Sequence, residues 1–189
     1  MKKFFLPLLL LIPLTFGFAP LTKPIEAIQA AIVKLEFTSE QGLHYCTGFV
    51  TSSIKGEVLT AAHCVPEEKG VLLNVDSKPS KVIRKNNIFA LVSIEPFSRP
   101  QVKIRQSDTR LGERVTSIGF GYGEFTVFGR GVAVFLKGDI VLDGPLMPGM
   151  SGGPVVGEDG EVMGLNQATN GMVGIACGSK EILDFLKGR

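Results

Sequence analysis

The pattern that most limits the fold of this chain is a repeated one. Short apolar stretches rich in β-branched and aromatic residues alternate with clusters of Gly, Pro, Asn and Ser. Runs of this kind are strands bounded by turns. Residues 31–37, 45–51, 58–62, 71–75 and 88–94 are the predicted strands of the first half, and 114–120, 126–136, 139–142, 154–156, 162–167 and 172–177 those of the second. Between them, 95–112 contains Pro96, Pro100 and several charges and reads as a connection. Only 179–187 has helical spacing, with Ile182, Leu183 and Leu186 on one face. Evenly spaced strands with one terminal helix predict antiparallel barrels or sandwiches. A chain of 189 residues suits one compact unit or two small ones.

The N-terminus has a separate character. Residues 1–19 read MKKFFLPLLLLIPLTFGFA: two lysines, then an uncharged run ending in Gly17-Phe18-Ala19. This is the pattern of a secretory signal peptide. The competing reading is an anchor through residues 4–19, but a spanning helix needs about 20 apolar residues, and Pro7 and Pro13 interrupt the run. Both readings predict an exported protein, secreted or periplasmic. Without residues 1–19 the chain loses Lys2 and Lys3, leaving 18 positive charges against 18 negative. That balance argues against a nucleic-acid partner, which needs a basic excess. It gives no electrostatic reason to seek a membrane beyond the N-terminal segment. An exported chain can hold disulfides, and three cysteines permit one bridge with one thiol left over. With no CxxC and only two histidines, neither a metal site nor another cofactor is expected.

Two segments carry chemistry. Leu59-Thr60-Ala61-Ala62-His63-Cys64 holds a histidine, and Pro148-Gly149-Met150-Ser151-Gly152-Gly153-Pro154 holds a serine set among glycines. A serine so placed can sit on a sharp turn that exposes its hydroxyl and the neighbouring N–H groups, the donors a developing oxyanion requires. Its hydroxyl needs a base, and histidine is the usual one near neutral pH. Other features have bland readings. Gly119-Phe120-Gly121-Tyr122-Gly123 imitates a phosphate loop, but no helix is predicted after it, so it reads as a turn. His44 reads as a structural residue and Cys177 as a buried thiol.

These segments resemble the trypsin-like, chymotrypsin-fold serine peptidases over roughly residues 30–188. Thr60-Ala61-Ala62-His63-Cys64 matches the family's histidine motif, and Gly149-Met150-Ser151-Gly152-Gly153-Pro154 its serine motif except at Met150. His44-Tyr45-Cys46-Thr47-Gly48 resembles the stretch around a cysteine that bridges to the one after the catalytic histidine. Leu111-Gly112-Glu113-Arg114-Val115, Ile118-Gly119 and Gly160-Glu161-Val162-Met163-Gly164-Leu165-Asn166 are similar to HtrA-type members, although no peptide-binding PDZ domain is expected after this core. The resemblance implies two antiparallel six-stranded β-barrels and a short C-terminal helix, with residues 20–100 carrying His63 and 101–189 carrying Ser151. It implies a serine endopeptidase: Ser151 as nucleophile, His63 as general base, and the N–H groups of Gly149 and Ser151 as the oxyanion hole. It further implies a Cys46–Cys64 disulfide and a substrate site at Pro145, Leu165, Asn166, Gln167 and Ala168, taking a protein or peptide.

Three departures qualify the resemblance. Met150 replaces an aspartate that pairs with a new N-terminus in animal members, so activation by such a pairing is not expected. Pro145 replaces the acidic group of trypsins, which predicts small or medium apolar residues before the cut. The third triad residue is not evident: Ile88 falls at the aspartate's place, Asn87 is the tentative substitute, and Asp76, Glu67 and Glu68 are the nearest acids after His63. A protease homologue that only binds peptides or proteins is therefore the alternative function. Oligomeric state is not legible.

Overall fold

The computed structural model describes residues 22–95, 99–107, 109–136 and 139–188, so the predicted export segment lies outside the described residues. Two antiparallel sheets make up the protein. The first contains β1 (Ile32–Ser39), β2 (Gly42–Ser52), β3 (Glu57–Ala61), β4 (Asn74–Val75), β5 (Lys78–Pro79), β6 (Lys81–Lys85) and β7 (Phe89–Ser93) in the order β5-β4-β1-β2-β3-β7-β6. The second is a closed barrel of β8 (Arg114–Gly121), β9 (Glu124–Leu136), β10 (Asp139–Leu142), β11 (Pro154–Gly157), β12 (Val162–Thr169) and β13 (Gly174–Gly178), ordered β10-β13-β12-β11-β8-β9. The expected two antiparallel barrels with a short C-terminal helix are found as two curled antiparallel sheets, of which the second closes into a six-stranded barrel.

The first sheet has seven strands rather than six, and the difference has a local cause. Asp76 and Ser77 both adopt positive φ, 46° and 64°, and turn β4 directly into β5. Two left-handed residues form the tight hairpin turn whose twist suits flanking strands. Tyr122 and Gly123, at φ 51° and 85°, do the same between β8 and β9. The apparent phosphate loop is therefore a hairpin, as its turn reading expected.

The prediction of a single helix is corrected. α1 (Thr22–Gln29) precedes β1, with Ile28 buried and Ile25 packed against the core. Its apolar residues are spaced three apart, but one turn of periodicity is a faint signal. α2 (Ser179–Leu186) is the expected C-terminal helix, started by the Glu181 carboxylate accepting the Gly178 N–H at 2.9 Å. Ile182 and Phe185 face the core, whereas Leu183 is only half-buried. Among the described residues no helix is long and apolar enough to cross a membrane.

The connection between the sheets is not a loose linker. Val102 N–H donates to Val50 C=O in the first sheet, while Val162 N–H donates to Lys103 C=O and Arg105 N–H to Val162 C=O in the second. The Arg105 guanidinium is buried between Glu113 and Asp159 at 2.5 and 2.6 Å. One core cluster runs through both sheets, from Val33, Leu59 and Phe89 to Ile118, Leu165 and Ile182. A smaller one, including Val115, Ile140, Leu142 and Met163, fills the second barrel.

Phe185 joins the two halves. Its ring lies 5.3 Å from that of Phe89, the Arg84 guanidinium stacks on it at 4.5 Å, and Arg84 donates to its carbonyl. Phe185→Ala is expected to cost about 3–5 kcal/mol, the range for truncating a buried aromatic, measured by denaturant unfolding. A loss under about 1 kcal/mol would mean that α2 is peripheral to the core.

Candidate active site

Ser151 sits in the loop between β10 and β11, and the backbone of that loop is closely constrained. Gly149 has φ +94°, and a Cβ there would fall 2.2 Å from the Phe120 carbonyl oxygen. Gly152 has φ +84°, and a Cβ would meet the Thr47 oxygen at 2.1 Å. Only glycine combines that left-handed backbone with so close an approach. Met150 N–H donates to Met147 C=O at 3.1 Å, and Gly153 N–H to Met150 C=O at 3.0 Å. Gly152 N–H and Asn166 C=O, then Asn166 N–H and Gly153 C=O, fasten the loop to β12 at 2.8 Å each. Neither the Gly149 N–H nor the Ser151 N–H has a partner among the described residues. The Met150 side chain is fully buried.

Thr47, on β2, holds this loop from the other sheet. Its N–H donates to Ser151 C=O at 2.8 Å, and its hydroxyl donates to Gly149 C=O at 2.7 Å while accepting from Phe120 N–H at 2.8 Å. Its carbonyl accepts from the Thr60 hydroxyl at 2.7 Å. The sequence pointed at Cys46 and not at its neighbour, although the two are adjacent in the motif.

His63 lies in the single 3-10 turn Ala62–Cys64 that ends β3. The Cys46–Cys64 disulfide is present, with Cα atoms 5.8 Å apart. One ring nitrogen of His63 lies within 4.8 Å of both sulfurs. Bridged sulfurs offer no thiolate, so this trio is not a metal centre. The Cys64 sulfur in turn lies 3.5 Å from the Ser151 carbonyl oxygen, which brings the histidine turn and the serine loop together. Partial burial, and secondarily the Lys85 ammonium, hold the His63 pKa below the usual 6.5. The Ser151 hydroxyl donates to Gln167 C=O at 3.2 Å, and His63 has no hydrogen-bond partner among the described residues.

The remaining predicted positions divide. Asn87 is exposed and makes no hydrogen bond to His63 among the described residues; Ile88 holds the place beside the histidine turn, its carbonyl accepting from Ala62 N–H at 2.8 Å. Asp76 is committed elsewhere, to Lys34 N–H at 3.0 Å and Arg99 at 2.7 Å. Glu67 and Glu68 line a cavity of about 260 Å³ with His63 and His44, and Glu67 pairs with Lys85 at 3.4 Å. His44 is bonded to Ser39 at 2.7 Å and stacked on Phe37, as a structural residue should be. Cys177 is buried, and burial, then Asp139 and Glu181, push its pKa to about 12.

Pro145 is exposed, and its carbonyl accepts from Arg130 at 2.6 Å. Leu165 and Asn166 are fully buried; the Asn166 amide donates to Ile118 C=O at 3.3 Å. Register slips between Asn166 and Ala168, so Gln167 occupies a bulge in the β12–β13 pairing and Ala168 is exposed beyond it.

A closed antiparallel barrel beside a second curled sheet, with a serine loop facing a histidine turn across their junction, is the architecture of a trypsin-like peptidase. The trypsin-like peptidase domain matches residues 46–165, more than half of the chain, and the protein belongs to that family. It is 30% identical over 139 residues to a probable periplasmic serine endoprotease, DegP-like, of Pseudomonas fulva, covering 64% of this chain and 28% of that protein. It is 31% identical to the serine protease HTRA1B of Danio rerio over 86% of this chain and 40% of that one. The chain thus spans well under half the length of these relatives. The fold is that of the serine endoprotease from Yersinia pestis, with a TM-score of 0.79 at 19% identity, 89% of this chain and 65% of that one. The active form of the Rv3671c protease from M. tuberculosis gives 0.77 at 20% identity, covering 87% and 83%.

Thr47→Val, which keeps shape and removes the hydroxyl, strands the Gly149 carbonyl and the Phe120 N–H. Unfolding should show a loss of about 1–3 kcal/mol, and reaction of Ser151 with a fluorophosphonate should slow by more than the folded fraction falls. Equal losses in both would mean that Thr47 serves the fold and not the serine loop.

Proposed function

We propose that the protein is an exported serine endopeptidase with residues 1–19 as its export segment, residues 20–100 carrying His63 and 101–189 carrying Ser151. The observation that carries this reading is the pair of unpartnered N–H groups, Gly149 and Ser151, beside a serine hydroxyl and a histidine held below its usual pKa. Ser151 Oγ attacks the carbonyl carbon of the scissile bond while His63 takes its proton. The new oxyanion lies against the two N–H groups, which are already oriented and need not reorganise. Collapse breaks the C–N bond, His63 returns the proton to the leaving amine, and water repeats the sequence to free Ser151. A peptide strand adding to the outer edge of β12 beyond Asn166 would be placed by main-chain pairing.

The pocket chemistry favours an apolar residue before the cut. Arg130 is anchored on the Asp143 and Pro145 carbonyls, and the Asp143 carboxylate is engaged by Gly131 N–H at 2.6 Å. A basic substrate side chain would meet the Arg130 guanidinium there, with the Asp143 carboxylate already accepting from Gly131 N–H.

A fluorophosphonate is expected to label the parent and not Ser151→Ala, and a peptide library should show cuts after small or medium apolar residues. Failure of the folded parent to label would leave the alternative, a peptide-binding homologue.

The pH dependence follows from His63. A base whose pKa is depressed remains neutral, and therefore active, to lower pH than a free histidine. The acid limb of kcat/KM, which reports the free enzyme's base, is expected to have its midpoint below 6.5. Lys85→Gln removes a nearby positive charge and should move that limb to higher pH. An acid limb at or above 6.5 in the parent, or one that Lys85→Gln leaves in place, would contradict this account of the histidine.

A further inference from the structure

His63 must carry a proton during turnover, and an imidazolium set against a disulfide is oriented by an acceptor on the ring nitrogen that does not face the serine. The groups expected to supply one do not reach the ring: Glu68 lines the same cavity but is exposed and makes no hydrogen bond to His63 among the described residues. Asn87 is exposed and unconnected to the ring, and Asp76 is bound to Lys34 and Arg99. Glu67 is paired with Lys85 and its side chain is 89% exposed. The Ile88 carbonyl, at the position beside the histidine turn, already accepts two bonds, from Ala62 N–H at 2.8 Å and from the Gln167 amide at 3.1 Å. A carbonyl oxygen has two lone pairs, so that acceptor is filled.

The second of those bonds identifies a different group. Gln167 sits in the β12 bulge, where its carbonyl accepts the Ser151 hydroxyl and its side chain crosses to Ile88, the residue preceding β7. Only the NH2 end of an amide can donate to a carbonyl, so the contact with Ile88 fixes which end is which. The other end, Oε1, has no partner among the described residues. An unused neutral acceptor is thereby anchored on the carbonyl bonded to Ala62, one residue from His63.

We infer that Gln167 is a positioning residue for His63: its side-chain oxygen takes the ring N–H when the histidine is charged and so does the work of the absent aspartate. The inference rests on the Ser151–His63 mechanism proposed above. A neutral amide offers this support more weakly than a carboxylate, because it aligns the ring without opposing its charge. The same residue also touches the nucleophile. The Gln167 carbonyl holds the Ser151 hydroxyl in the free protein, so a substrate N–H that claims this carbonyl releases the hydroxyl toward His63.

The test reads the histidine directly. In 15N-labelled protein, with His63→Ala separating the two histidine signals, the pKa and ring tautomer of His63 are followed in the parent, Gln167→Glu and Gln167→Met. Gln167→Glu places a carboxylate at the same reach, without the amide that bonds Ile88, and its charge is expected to turn it to the ring and raise the His63 pKa by about one unit or more, with a slowly exchanging ring proton and faster turnover at neutral pH. Gln167→Met keeps the length without an acceptor. It is expected to leave the ring as a mixture of tautomers and to lower kcat by about tenfold or more with KM little changed. If Glu and Met change kcat in the same direction, or if the tautomer is the same in all three proteins, Gln167 only ties Ile88 in place and the inference falls. The titration stands whether or not the parent labels with a fluorophosphonate, so a failure of the peptidase reading and a failure of this one are separately visible.

Discussion

The site depends on Thr47. This residue belongs to the first sheet, yet its N–H, carbonyl and hydroxyl are spent on Ser151, Thr60, Gly149 and Phe120, three of them in the second half of the chain. It is fully buried, and each of those bonds would leave a stranded partner if broken. The Pro148 carbonyl accepts from Tyr122 N–H at 2.7 Å, and the Gly149 N–H, on the opposite side of that peptide plane, is left without a partner among the described residues. The oxyanion pocket proposed for the second barrel is thus bordered by a loop that a hydroxyl from the other sheet holds in place.

Electrostatics around the histidine run opposite to the usual arrangement. Where a carboxylate would raise the basicity of the ring, Lys85 approaches instead, and both it and burial favour the neutral form. As the proposed base, His63 is readily available, but its protonated state is poorly supported. Such a site suits slow chemistry unless an acceptor is brought to the ring, which is why the unused oxygen of Gln167 bears on the rate and not only on the geometry.

Much of this was legible in the sequence, for identifiable reasons. The strands could be read because β-branched runs and turn residues alternate cleanly, and the serine loop because Gly149 and Gly152 have no workable substitutes. The Cys46–Cys64 bridge followed from the motif around it. α1 was missed because Ile25 and Ile28 supply one turn of pattern, and β6 because Lys81–Lys85 is mostly exposed and charged. Thr47 and Lys85 were not found from the sequence, and Gln167 was expected only as part of the substrate site and not as a neighbour of Ile88. Each acts on a residue distant in the chain, Thr47 on Gly149 across 102 positions and Gln167 on Ile88 across 79. Local sequence carries no record of such meetings.

The segment between the sheets has a mechanical consequence. Because Val102 is hydrogen-bonded to Val50 on one side, and Lys103 and Arg105 to Val162 on the other, it works as a brace and not as a hinge. Swinging one half away, to widen the groove between the histidine turn and the serine loop, would break either the Val102–Val50 bond or the two bonds to Val162. The groove therefore keeps nearly one width. Under the proposed peptidase function, a folded protein would have to yield an unravelled stretch of chain to enter it, so the ease with which a substrate frays locally should weigh as heavily as the side chains flanking the bond to be cut.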